Sequence, residues 1–187
     1  MHHTIFSTFL LASCAPMSVG PPPTQIPSGH TQEFGSTVGT GVQIEEEEIQ
    51  QIFLEESFWY RHVLSDKSEV QLLGGMVWNG DPIVFGAVGL RRYFTTADGG
   101  KFGIDVKVGG PFYAEIGLPL QQQLGDRSLW LTTHPSVALN GFGYVNLPVG
   151  LNWQPKDKWF LSSVFGTRFV GENPTLFYSN LGVSIPF

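Results

Sequence analysis

Apolar and polar residues alternate with a period of two along most of this chain. In the closing segment Phe177, Leu181, Val183, Ile185 and Phe187 fall on one face of an extended strand. Tyr178, Asn180, Gly182, Ser184 and Pro186 fall on the other. Val145, Leu147, Val149, Leu151 and Trp153 alternate in the same way with Tyr144, Asn146, Pro148, Gly150 and Asn152. From about residue 31 onward the pattern predicts about ten strands. These are Thr31–Gln43, Ser57–Ser65, Ser68–Asn79, Pro82–Phe94, Lys101–Gly109, Phe112–Gln121, Ser128–Leu139, Phe142–Trp153, Lys158–Val170 and Leu176–Phe187. The residues between them reverse a chain readily: Asp66-Lys67, Asn79-Gly80-Asp81, Asp98-Gly99-Gly100, Asn140-Gly141 and Glu172-Asn173-Pro174.

A soluble sandwich shows the same alternation, with its apolar face turned inward. Two features favour lipid. Aromatic residues cluster at strand ends, among them Trp78, Tyr93, Phe94, Phe112, Trp130, Tyr144, Trp153, Trp159, Phe169 and Tyr178. Amphipathic rings settle at headgroup depth in membrane barrels. The faces opposite the apolar ones carry Arg91, Asp105, Lys107, Glu115, His134, Asn146 and Arg168. Paired charges of this kind suit a narrow barrel interior better than the surface of a chain so poor in charge. The expected fold is all-β: a small antiparallel up-and-down transmembrane β-barrel of 8–10 strands, with ten favoured.

The last residues resemble the closing strand of bacterial outer-membrane β-barrels, whose assembly signal is polar-x-Gly-x-x-apolar-x-aromatic. Asn180, Gly182, Ile185 and Phe187 occupy those positions. The resemblance implies an outer-membrane location, recognition by the barrel-assembly machinery, and contact with membrane lipid and lipopolysaccharide. It implies an even strand count, which returns the C-terminus to the periplasmic side.

The N-terminus reads as a processed segment. Ile5-Phe-Ser-Thr-Phe-Leu-Leu-Ala12 is a short apolar run, and Leu11-Ala-Ser-Cys14 resembles a bacterial lipobox. The resemblance implies a signal peptide over residues 1–13 and a lipid on Cys14, the one cysteine in the chain. An ordinary secretory signal is the alternative. Residues 14–30, with Pro21-Pro-Pro23, read as a semi-extended periplasmic tether able to reach an envelope partner. Residues 31–187 form the barrel domain. The acidic segment Glu45–Glu56 is the unusual connection. Ile49, Ile52, Phe53 and Glu56 recur at helical spacing, so a short amphipathic helix is expected there.

Composition narrows the function. Charged residues are 14% of the chain, against about 25% in ordinary soluble domains. Mean hydropathy is +0.03, yet no apolar run approaches the roughly 20 residues of a spanning helix. A net charge of −6 argues against nucleic acid, which calls for clustered Lys and Arg. No spacing of His, Cys or carboxylates suggests a metal site, and no cofactor motif is present. His134 and Ser136 share two residues with the His-x-Ser motif of outer-membrane lipid A deacylases, but the nearest following Glu is Glu172. The paired Asp and Asp-His sets of the outer-membrane aspartyl proteases have no counterpart. The leading expectation is a non-enzymatic structural or accessory envelope lipoprotein. The alternatives are a narrow channel or small-ligand carrier, a lipid hydrolase using His134 and Ser136, and a soluble lipid-anchored periplasmic β-domain.

Overall fold

The computed structural model describes residues 29–45, 48–95, 100–110, 113–125, 128–139, 143–156, 158–170 and 173–187, together with Ile26. All regular structure among them is strand. The segments are β1 (Gln32–Glu45), β2 (Glu48–Ser65), β3 (Ser68–Asn79), β4 (Asp81–Thr95), β5 (Lys101–Gly110) and β6 (Tyr113–Gly117). They continue as β7 (Leu120–Leu124), β8 (Leu129–Thr133), β9 (Ser136–Leu139), β10 (Tyr144–Lys156), β11 (Trp159–Val170) and β12 (Asn173–Pro186).

All pairings are antiparallel, and β12 pairs with β1 from Glu33↔Pro186 to Gln43↔Leu176. The ring is closed. β6 and β7 are two halves of one stave, as are β8 and β9, so the wall is a closed ten-stranded antiparallel barrel. The breaks fall at Leu118-Pro119 and His134-Pro135. Proline has no N–H to give a ladder, but its carbonyl still serves: Gly103 N–H donates to Pro119 O and Leu118 N–H to Pro135 O, each at 2.8 Å.

The expectation of a helix in the acidic segment is corrected. Glu48–Ser65 is one long strand, and β1 turns directly into it with Glu45 opposite Glu48. Phe53, Glu55, Ser57, Trp59 and Arg61 are buried, while Ile52, Leu54, Glu56 and Phe58 are exposed. The helical spacing was real but shorter than the period-two pattern continuing through it. Each of those residues also finds a partner on β1, and sheet pairing overrides local helix propensity.

Both ends of the barrel have short connections. One rim holds the chain ends, where Phe187 N–H donates to Gln32 O (2.8 Å) and Gln32 N–H to Phe187 O (3.1 Å). This terminal rim also holds the β2–β3 turn at Asp66-Lys67. The opposite rim holds the β1–β2 connection and Gly80, whose φ of +82° lets a single residue join β3 to β4. Large inward side chains lie over a glycine on the adjacent strand. Trp59 covers its directly paired Gly35, and Tyr178 covers Gly166. A Cβ at either glycine would collide with the ring, so the lumen accepts these aromatics only where the wall is thinned.

Candidate functional site

The lumen is the place where chemistry-bearing side chains converge. Inward positions of β1 to β6 carry Glu33, Arg61, Glu69, Arg91, Asp105, Lys107 and Glu115, and each is 0–2% exposed. Strand register sets opposite charges face to face: Glu33↔Arg61, Glu69↔Arg91, Arg91↔Asp105 and Lys107↔Glu115 are direct cross-strand partners. The result is one unbroken ladder of alternating sign. Arg61 pairs with Glu33 and, at 3.5 Å, with Glu69. Arg91 reaches Glu69 at 3.2 Å and Asp105 at 2.8 Å. Lys107 links Asp105 at 3.6 Å to Glu115 at 2.7 Å. Gln71 donates to Glu69 at 2.8 Å, and Arg91 donates to the Tyr93 hydroxyl at 3.2 Å. Charges withdrawn from water need partners; Arg61, Glu69, Arg91, Asp105 and Lys107 each pair with two opposite charges, while Glu33 Oε1 and Arg61 Nε have no hydrogen-bond partner.

Further toward the far rim the lumen becomes apolar. Phe53, Trp59, Leu73, Val77, Phe85, Leu176 and Tyr178 form one buried cluster contributed by β2, β3, β4 and β12. Beside it the Arg168 guanidinium lies 4.2 Å from the centre of the Tyr144 ring, a cation–π contact. The Tyr178 hydroxyl donates to Asn146 Oδ1 at 2.8 Å. Asn152 donates to Thr132 at 2.7 Å, and Thr132 to Gly150 O at 3.2 Å. Charge and aromatic bulk thus occupy successive levels of the same narrow bore.

His134 and Ser136 also face inward, 1% and 3% exposed. His134 Nε2 lies 3.7 Å from Asp105 Oδ2, and the ring is packed against Gly117, where a Cβ would overlap it. Neither side chain reaches the outer surface, where the ester of a membrane lipid would lie. Among the described residues no group of three or more His, Cys, Asp or Glu could hold a metal ion.

The outer surface is the reverse of a soluble domain's. Val84 and Leu139 are 67% exposed and Leu181 is 66% exposed, with Phe34, Val106, Ile116, Val149 and Phe165 among many others. Such an all-round apolar exterior, far larger than the patches found on soluble monomers, calls for hydrocarbon around it. Of the four assembly-signal positions, Asn180 is buried opposite Gly39 and Gly182 is opposite Thr37, while Ile185 and Phe187 face outward. Cys14 and the signal segment lie outside the described residues. Of the tether, Ile26, Gly29 and His30 are described, and Ile26 is buried.

Sequence reasoning missed three of the seven ladder charges. Glu33, Arg61 and Glu69 stand at alternate positions to outward Phe34, Tyr60 and Val70, so parity against the apolar face could have found them. Glu55 was hidden by the helical reading of its segment, and Trp59 lay in the expected strand Ser57–Ser65 without being singled out.

No protein-family model matches this chain, and no curated protein matches it. Solved structures do. An outer membrane channel from Pseudomonas putida F1 superposes with a TM-score of 0.54 at 11% identity, covering 91% of this chain and 100% of that one. The β domain of the Bordetella autotransporter BrkA superposes with a TM-score of 0.55 at 7% identity, covering 86% and 100%. The fold is therefore that of the bacterial outer-membrane β-barrels, in a closed ten-stranded form. At these identities the likeness speaks for the fold alone.

Proposed function

We propose that this chain is an outer-membrane β-barrel lipoprotein with a structural or accessory envelope role and no enzymatic one. The observation that carries the reading is the occupied lumen. A ladder of seven alternating charges crosses the wall from β1 to β6, and an aromatic and aliphatic cluster fills the next level. A barrel of about eight to ten strands encloses little more than its own side chains. The apolar exterior and the Asn180, Gly182, Ile185, Phe187 ending support insertion by the barrel-assembly machinery. Lipid on Cys14 then holds the residue 14–30 tether, and with it the terminal rim, on the periplasmic side. The tether would then be the part that meets another envelope component.

The test has two arms. Boiled against unboiled in SDS, the outer-membrane fraction is expected to show a mobility shift, as closed membrane barrels do. Purified protein in a planar bilayer is expected to give no conductance steps. No mobility shift, with the protein released as a soluble species by Cys14→Ser, would leave a lipid-anchored soluble β-domain. Steady conductance that changes in Arg91→Ser or Glu115→Gln would replace the closed barrel with a narrow channel. That second reading draws on one feature: the amides of Asn146, Asn152 and Asn180 line the bore opposite the charge ladder.

A further inference from the structure

The lumen uses four of the ten basic residues: Arg61, Arg91, Lys107 and Arg168. The other six are Lys67, Arg92, Lys101, Arg127, Lys156 and Lys158. Lys67, Arg92, Lys101, Lys156 and Lys158 lie in or beside the turns of the terminal rim that close β2, β4 and β10, and Arg127 falls between β7 and β8 in the sequence. The connections of the far rim contain no Lys or Arg, while Glu46, Glu47 and Glu172 fall within them. Asp66, Asp98, Asp126 and Asp157 fall in the same connections as the six basic residues, so six basic residues against four aspartates leave the terminal rim with a basic excess. A basic residue near an anionic lipid surface raises affinity by roughly fivefold.

At this basic rim the wall has a cleft of about 210 Å³, lined by Lys101, Phe102, Leu120, Gln121, Leu131 and Thr132 among others. It forms because β7 pairs with β5 at only two positions, Lys101↔Gln121 and Phe102↔Leu120, beyond the break at Pro119. Its apolar side is outward. Phe102 stacks on Phe94 at 5.2 Å, and the Arg92 guanidinium lies 5.9 Å from the Phe94 ring centre. Its polar side holds half-buried Lys101, which makes no ion pair with a described residue. Beside it is Gln121, 5% exposed, whose side-chain oxygen has no hydrogen-bond partner. Turning the side-chain amide by about 180° exchanges its oxygen and its NH2, which would put an N–H donor, in place of the unpartnered Oε1, toward an anion.

We propose that the cleft binds one anionic phospholipid from the leaflet at the terminal rim. Its phosphate lies on Lys101 and the Gln121 amide, and an acyl chain runs along Phe102, Leu120 and Leu131. The inference rests on the membrane-barrel reading. It adds a lipid of defined charge at a defined place.

Native mass spectrometry of the full chain, reconstituted in phosphatidylcholine with or without phosphatidylglycerol and then moved to detergent, tests it. One phosphatidylglycerol per chain is expected to survive the transfer. Lys101→Gln is expected to weaken retention about fivefold, and Leu120→Trp, which fills the cleft, to abolish it. Lys158→Gln, on the same rim away from the cleft, should retain the lipid. Equal retention in Leu120→Trp, equal retention of phosphatidylcholine, or equal loss in Lys158→Gln would overturn the site. A protein that shows no heat-dependent mobility shift even in phosphatidylcholine alone fails the barrel reading instead, and is recognised by that result.

Discussion

Arg91 sits between Glu69 and Asp105 with its side chain fully buried. Its removal leaves two carboxylates sharing a dry site without their common cation. Arg91→Ala is therefore expected to destabilise the folded barrel by about 3–5 kcal/mol, the usual cost of orphaning a buried charge, as read from urea unfolding in vesicles. Lys107→Ala, at the next rung, leaves Glu115 and Asp105 in the same position. The glycines under aromatic side chains are equally specific. Gly35→Ala places a methyl group in the Trp59 ring and is expected to cost about 1–3 kcal/mol. Trp59→Leu in the same chain should recover part of that loss, so the two changes should be non-additive in a double-mutant cycle. Additive losses would show that the ring and the glycine do not meet.

At the scale of the element, β2 decides most. Its first half contains good helix formers at helical spacing, and nothing local forbids a helix there. The pairing with β1 does, because each residue from Glu48 to His62 except Gln50 lies opposite a β1 residue. This assignment is testable by single cysteines in a Cys14→Ser background refolded into vesicles. Positions 52, 54, 56 and 58 should be open to a lipid-soluble thiol reagent, and 53, 55 and 57 protected. Reactivity at every third or fourth position would restore the helix. The broken staves teach a related lesson. Pro119 and Pro135 lie within segments whose alternation reads as continuous strand. Each interrupts its stave for two residues without interrupting the wall, because neighbouring N–H groups still reach the proline carbonyls.

For the whole molecule, the ladder lies out of reach of bulk ions, so its strength should not depend on salt. The urea midpoint in neutral vesicles is expected to change little between low and high sodium chloride, whereas exposed ion pairs would be screened. A large fall with salt would place those charges in open water and favour a conducting bore. How much was legible beforehand follows from the physics of the strand. A period of two is local, so Phe177 to Phe187, Val145 to Trp153 and the inward Arg91, Asp105, Lys107, Glu115, His134 and Arg168 could be read from the chain with no knowledge of partners. Low charge and outward aromatics at strand ends, such as Trp78 and Trp153, likewise belong to the sequence alone and point to an all-β barrel in lipid, whereas Tyr93, Tyr144 and Tyr178 turned out to face the lumen. Register is not local. Which acid faces which base, that β12 closes on β1, that the acidic run is strand, and that ten staves complete the ring all depend on pairing between distant segments. Only the tertiary structure decides these, because a strand's energy comes from its neighbours and not from its own sequence.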